Sequence, residues 1–405
     1  MHGRRKDEYQ RTHLARSQAE KEAAKNKVFK YKQLMELALQ QRQEMRHCKE
    51  ALVTGEALDN DLVLSSQLLR INPDVYTLWN HRKEMIVASG VLRQEAEGGE
   101  TEKEECESER EGGKAPLPPG SFLQTELDLV IDCIRKNPKS YGAWHHRRWL
   151  LDHAFSLSPS AAPPNPSSPV APLPALSRQL KPVLDQELFL CAKLLDLDER
   201  NFHCWSYRRW VVSKHPARTP RDEFEFSTSR ILKNFSNYSA FHHRASYFWD
   251  YLREAHPNLD PPSFLERELD MVQQAVFTEP DDQTAWWYHQ HLISLALAWD
   301  TEREKELGER GDQELTPRGV SFAQRVLEKE VKVLRELVEE GEAEGGGYRW
   351  AVLTLADLLG KLARRKEGKS EEASLRAESQ KLLKRLPALD PDHAGRYQDM
   401  LDSLP

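Results

Sequence analysis

One pattern returns five times along this chain: an aromatic residue, tryptophan or phenylalanine three positions later, and arginine three further on. It reads Tyr76/Trp79/Arg82, Tyr141/Trp144/Arg147, Phe202/Trp205/Arg208, Tyr238/Phe241/Arg244 and, degenerate, Gln283/Trp286/His289. An amphipathic stretch precedes most copies, at residues 62–71, 127–136, 187–197 and 268–277. In each, apolar residues fall at i, i+3, i+4 and i+7, the period of a half-buried helix. An Asn-Pro or acidic junction then ends one helix and starts the next. Helix, break, helix at a spacing of roughly 35 residues, once insertions are subtracted, is the signature of stacked helical hairpins. The expected fold is therefore all-α: a right-handed α-solenoid, or crescent, of about seven antiparallel helix-hairpin repeats. Residues 328–362 and 379–401 supply the weaker last units.

Two stretches interrupt the pattern. Residues 91–119 are rich in Glu and Gly and end in a proline cluster, and residues 156–174 alternate proline with Ser and Ala. Neither composition buries enough apolar surface to offset its ordering entropy, so both read as low-complexity insertions. The expected organisation is a basic, helical N-terminal lead-in at 1–50 followed by a helical-hairpin repeat domain at 51–405. No apolar run reaches the roughly 18 residues of a membrane span, and the charged start does not read as a secretory leader, so the expected address is cytoplasmic. The five cysteines form no CxxC pair and read as reduced thiols. With a net charge of −7 and few aromatics in its basic segment, the chain has no nucleic-acid footprint.

Tyr, Trp and Arg of each repeat are expected to form one stripe aimed at the neighbouring hairpin, with the tryptophans as core and the arginines bonded to carbonyls or carboxylates at the adjacent turn. His145-His146 and His242-His243 do not suit a metal, because adjacent helical residues diverge by roughly 100 degrees. There is no P-loop, no GxGxxG and no nucleophile triad signature, so this chain by itself has no catalytic apparatus. One segment departs from simple packing. In Asn137-Pro138-Lys139-Ser140-Tyr141 a lysine is expected in the first turn of a helix, where orphan N–H groups favour an anion; it is either a phosphate-docking residue or a solvated lysine.

The tandem repeat resembles that of the protein prenyltransferase alpha subunits over roughly residues 60–295. The copies NPKSYGAWHHRRWLL and ERNFHCWSYRRWVV, with the opening MHGR, are most similar to the Rab-directed (type II) branch. The resemblance implies a crescent wrapped around a zinc-bearing beta subunit, with no metal or cofactor held by this chain. It implies transfer of geranylgeranyl from geranylgeranyl diphosphate to C-terminal cysteines of Rab GTPases presented by Rab escort protein. Lys139 and Tyr141 match a Lys-x-Tyr motif that reaches the diphosphate across the subunit interface, which gives them a catalytic role. Asn201 and His203 match positions lining the substrate cleft and are either substrate-binding or structural. Gly142 stands where farnesyl-type subunits carry a carboxylate-binding glutamine. His2 is a candidate placeholder ligand for the partner's zinc. The helical continuation from 295 to Pro405 suits the compact form of the subunit found in fungi. The alternatives are the alpha subunit shared by farnesyltransferase and the type I geranylgeranyl enzyme, and a non-enzymatic helical-repeat scaffold.

Overall fold

The computed structural model describes residues 18–47, 55–98, 121–156, 175–255, 260–309, 320–366 and 368–403, and among them it contains helices and no strand. The chain divides into two compact units, residues 1–217 and 218–405. The first holds a lead-in helix, α1 (Gln18–His47), and three hairpins. These are α2 (Gly55–Ile71) with α3 (Tyr76–Ser89), α5 (Phe122–Lys136) with α6 (Tyr141–Ser156), and α7 (Ala175–Leu197) with α8 (Phe202–Lys214); α4 (Val91–Gly98) follows α3. The second unit pairs α9 (Pro220–Lys233) with α10 (Tyr238–Ala255), α11 (Pro261–Thr278) with α12 (Gln283–Glu309), and α13 (Phe322–Ala343) with α14 (Arg349–Ala363). It ends on α15 (Lys369–Leu389), a 3-10 turn and α16 (Ala394–Asp402).

The first helix of a hairpin is A and the second B. Their junctions are built alike. At the end of the A helix an Asn or Asp side chain accepts from the backbone N–H two residues on: Asn72 from Asp74, Asn137 from Lys139, Asp198 from Arg200 and Asn234 from Ser236. These are Asx turns, which halt the helix by offering its backbone a local alternative. The repeat tryptophan then folds back, its indole N–H donating to the carbonyl six residues earlier: Trp79 to Pro73, Trp144 to Pro138, Trp205 to Glu199 and Trp286 to Pro280. The Asn-Pro junction thus ends the A helix, with Asn137 closing α5, while at the acidic junction Asn201 accepts from the Cys204 N–H as the N-cap of α8.

The arginines lie on B helices, and each donates from Nη1 to a carbonyl of its own A helix 20 residues earlier: Arg82 to Leu62, Arg147 to Leu127, Arg208 to Leu188 and Arg244 to Phe224. The same guanidinium reaches a carboxylate on the following A helix. Arg82 bonds Glu126, Arg147 grips Glu187 through two N–H···O bonds, and Arg244 grips Glu268 likewise, both at 2.7 Å. Where the fifth repeat has histidine, His289 Nε2 stands 2.9 Å from Glu330, so the link survives the loss of arginine. A second residue also holds the carboxylate, from the same hairpin and again 20 residues on: Tyr207 donates to Glu187 and Tyr288 to Glu268, and His243 bonds Glu223. His146 stands at the equivalent position, 4.0 Å from Glu126 and without a hydrogen bond to it. Burial disfavours the Arg147 cation, but Glu187 and Tyr207 more than offset it and its pKa lies above the ordinary value.

The first aromatic of each repeat departs from the expected stripe. Trp and Arg are buried, whereas Tyr76 and Tyr141 are each 59% exposed and Phe202 is 52% exposed. Each three-residue step falls about 60 degrees short of a full turn, so Tyr and Arg differ by roughly 120 degrees and cannot share one face. The stretch expected to be poor core from residue 91 begins instead as a helix, α4. Leu92 is buried there and Glu95 accepts the Leu123 N–H at the start of α5. The remainder of both insertions lies outside the described residues.

Arg147→Met should cost about 3–5 kcal/mol by leaving Glu187 buried without its cation. Arg147→Met/Glu187→Leu should recover most of that loss, as read from urea-unfolding midpoints. A second expectation concerns pH. Burial, then the positive charges of Arg82, Lys83 and His145, hold the His146 pKa well below the ordinary value. The unfolded chain therefore binds a proton below about pH 6.5 that the folded chain refuses, and stability falls with pH by up to about 1.4 kcal/mol per unit for this group. His146→Gln should flatten the midpoint-against-pH slope below pH 6.5.

Candidate functional site

The turn Asn137–Ser140 between α5 and α6 is braced from both neighbouring hairpins. On one side Ser140 Oγ donates to the Pro73 carbonyl at 3.0 Å, and Asn137 Nδ2 donates to Asp74 at 2.8 Å. On the other, Asn201 Nδ2 donates to the Pro138 carbonyl at 2.9 Å, the same oxygen that receives the Trp144 indole. Backbone groups on a tight turn are poorly satisfied unless side chains reach them, and here carbonyls on two successive turns each accept two such donors.

Lys139 projects from this mount, in the turn that precedes α6 rather than in the first turn of the helix as expected, because Asn137 closes α5 and α6 begins only at Tyr141. The lysine side chain is exposed, and its ammonium makes no ion pair among the described residues. Two positions on, Tyr141 opens α6 with its ring largely in solvent; the ring stands edge-on to His203 at 4.2 Å and 6.0 Å from Phe202. His203 is buried, and its Nε2 has no hydrogen-bond partner. Burial lowers its pKa, an effect opposed by the Lys139 backbone beside it. Asn201 spends both polar atoms inside the chain, one on Pro138 and one on the Cys204 N–H.

The tertiary structure thus brings Lys139, Tyr141, Asn201 and His203 into one neighbourhood, with two hairpins contributing. His2 lies outside the described residues. The sequence reading missed the bracing role of Ser140, although its signal was present: the position just before the repeat aromatic is Ser140, Asn201 and Asn237 in three successive copies.

Gly142 takes on a different meaning. Position 142 faces Trp79 of the preceding hairpin, and a Cβ there would lie 2.6 Å from Trp79 Cδ1 and 2.8 Å from Nε1. The indole is pinned by its bond to Pro73 and packs 4.7 Å from the His146 ring, so it has little freedom to yield. Packing alone requires glycine here.

Among the described residues no group of three or more His, Cys, Asp or Glu is arranged to hold a metal ion, and no helix is long and apolar enough to cross a membrane. Cys133, Cys191 and Cys204 are buried free thiols, and burial pushes the Cys133 pKa up to about 12.

A model of the protein prenyltransferase alpha subunit repeat matches residues 58–88, 123–154, 184–215, 220–248 and 265–296. The chain is 36% identical over 307 residues to the geranylgeranyl transferase type-2 subunit alpha of Rattus norvegicus. That alignment covers 74% of this chain and 43% of the rat protein, so the chain spans less than half the length of the mammalian relatives it matches. The subunit of the same name from Saccharomyces cerevisiae is 26% identical over 414 residues, 99% of each chain, and that from Schizosaccharomyces pombe 29% over 368 residues, 88% of each. Among solved structures, the Candida albicans protein geranylgeranyltransferase-I complexed with GGPP aligns with a TM-score of 0.55 at 18% identity. It covers 93% of this chain and 91% of that one, a likeness of fold.

Gly142→Ala should destabilise the chain by about 1–3 kcal/mol through overpacking against Trp79. An unfolding midpoint unchanged from wild type would mean that the indole moves aside freely.

Proposed function

We propose that this chain, which belongs to the protein prenyltransferase alpha-subunit repeat family, is the alpha subunit of a type-2, Rab-directed protein geranylgeranyltransferase. It works as a heterodimer with a beta subunit in the cytoplasm, and the complex transfers geranylgeranyl from geranylgeranyl diphosphate to C-terminal cysteines of Rab GTPases presented by Rab escort protein. The observation that carries this reading is the end-to-end alignment with the yeast subunit, 99% of each chain. This reading assigns the zinc to the beta subunit. There it would hold the acceptor cysteine as thiolate, the nucleophilic form.

This chain's own contribution is electrostatic. As the bond from the isoprenoid carbon to diphosphate breaks, negative charge accumulates on the leaving oxygens, and a cation already in place costs no reorganisation at that moment. Lys139 suits the task because the turn beneath it is braced by Ser140 and Asn201 while its ammonium is unpaired within the described chain. Tyr141, exposed beside it, supplies a phenolic donor to the same oxygens. Asn201 is a positioning residue, acting through the Pro138 carbonyl, and buried His203 backs the Tyr141 ring on the substrate side.

Lys139→Ala in the co-expressed heterodimer should lower escort-dependent turnover by roughly 10- to 1000-fold, with the unfolding midpoint unchanged. A fall in stability that parallels the loss of activity would make Lys139 structural. Escort-independent modification of short C-terminal peptides would move the chain to the farnesyl or type I class. Failure to recover any prenyltransferase beta subunit with the tagged chain would leave a scaffold.

A further inference from the structure

Along the exposed flank of α6, one and two turns beyond Tyr141, stand His145 and Trp149. Lys83 of α3 approaches both: its Nζ is 2.9 Å from His145 Nδ1 and 5.4 Å from the centre of the Trp149 ring. The pairing is unusual in its charge. An ammonium here donates to a neutral imidazole, and neither group forms an ion pair with a carboxylate among the described residues, although the chain as a whole is acidic. The charged neighbours acting on His145 are Lys83 and Arg148, both positive. Those that lower the pKa of His146 behind it are Arg82, Lys83 and His145 itself, while the Glu126 carboxylate 4.0 Å from His146 Nε2 is engaged by Arg82. One turn further, His153 stacks on Trp149 at 5.2 Å and lies in the field of Arg93 from α4. Asp152, one turn beyond Arg148 on α6, is shared by Arg148 and Lys214. Burial lowers the pKa of Lys83, and burial, Lys83 and Arg148 together lower that of His145. The cluster is a partly buried cationic site that, among the described residues, has no carboxylate partner.

The surroundings indicate what completes it. Tyr76 and Val87 lie on the exposed ridge of α3 that carries Lys83, at i−7 and i+4, and Tyr141 precedes His145 by one turn of α6. A lysine–histidine pair set among exposed aromatic and aliphatic side chains has the make-up of a protein interface centre, where tyrosine, tryptophan and a few desolvated charges dominate affinity. A free small anion needs no such surround.

We propose that Lys83 and His145, floored by Trp149, form the receiving site for a carboxylate side chain of the partner beta subunit, which docks on the B-helix face of residues 1–217. The proposal rests on the reading of this chain as an alpha subunit. On docking, the carboxylate inserts between Nζ and Nδ1, His145 becomes an imidazolium donor, and association takes up a proton near neutral pH.

The test is calorimetric titration of the full chain with its beta subunit at pH 7. It is run in two buffers of different ionisation enthalpy and at low and high salt, for wild type, Lys83→Met and His145→Gln. Methionine keeps an aliphatic stem on Trp149, so folding of that variant is preserved. Wild type should associate with proton uptake. Lys83→Met should raise Kd by roughly 10- to 100-fold with a shallower salt dependence, and His145→Gln should abolish the uptake. Tight association with no proton uptake in wild type, or an unchanged Kd in both variants, overturns this proposal and leaves the alpha-subunit reading standing. A chain that binds no beta subunit overturns both. Saturable binding of single-stranded RNA to the chain alone, lost in Lys83→Met, would assign the face to nucleic acid and overturn the protein-docking site.

Discussion

Within each unit the hairpins are held in register by a buried charge. A carboxylate on an A helix is costly in a protein interior unless every oxygen is engaged, and an arginine likewise. In this chain neither finds its full complement inside one hairpin. Arg147 spends Nη1 on its own Leu127 carbonyl and turns its remaining fork to Glu187 of the next A helix, while Tyr207 supplies the carboxylate's other donor. Arg244, Glu268 and Tyr288 repeat the arrangement. A shift of one residue between neighbouring helices would strand both charges, so the pairs fix register as much as they add stability. The aromatic and aliphatic core around them, Trp79, Leu150 and Val211 in one unit and Phe248, Phe264 and Trp286 in the other, supplies the bulk of the burial.

The junctions convert that register into a mount for chemistry. Because the Trp79 and Trp144 indoles close the turns beneath them and a polar side chain of the next hairpin reaches the same carbonyl in each case, the turn at 137–140 is tied at Pro73 and at Pro138. A lysine on a free loop would spend its interaction with an anion on ordering itself. On this turn the ordering is already done, and Lys139 and Tyr141 stand where an edge of the hairpins meets solvent. The face below them changes character from tyrosine to the Lys83–His145–Trp149 cluster, so the proposed reaction end and the proposed docking end lie on one helix, α6.

Much of the fold was legible from the fivefold pattern, because a tryptophan that must close a turn six residues behind it and an arginine that must reach 20 residues back leave fixed intervals in the sequence. The carboxylate partners were not legible. Arg82, Arg147, Arg244 and His289 find theirs 44, 40, 24 and 41 residues onward, since insertions and connections of varying length intervene and the A helices offer many glutamates. The histidine pairs show the same limit: nothing local says that His146 is sealed beside Glu126 while His145 meets Lys83. Gly142 invited a reading about recognition, whereas its packing partner, Trp79, lies 63 positions earlier in the chain.

By itself the sequence determined that this chain is a helical-hairpin array, where the turns between paired helices fall, and that Lys139 sits at one of those junctions, for these follow from periodicities and turn chemistry acting over a few residues. Tertiary structure decided which charges meet, that the repeat tyrosines face outward while the tryptophans face in, and that Asn201 and Ser140 steady the turn under Lys139. Those outcomes depend on helices brought side by side from tens of residues apart, and the angle and offset at which two helices pack are set by the fit of all their side chains at once.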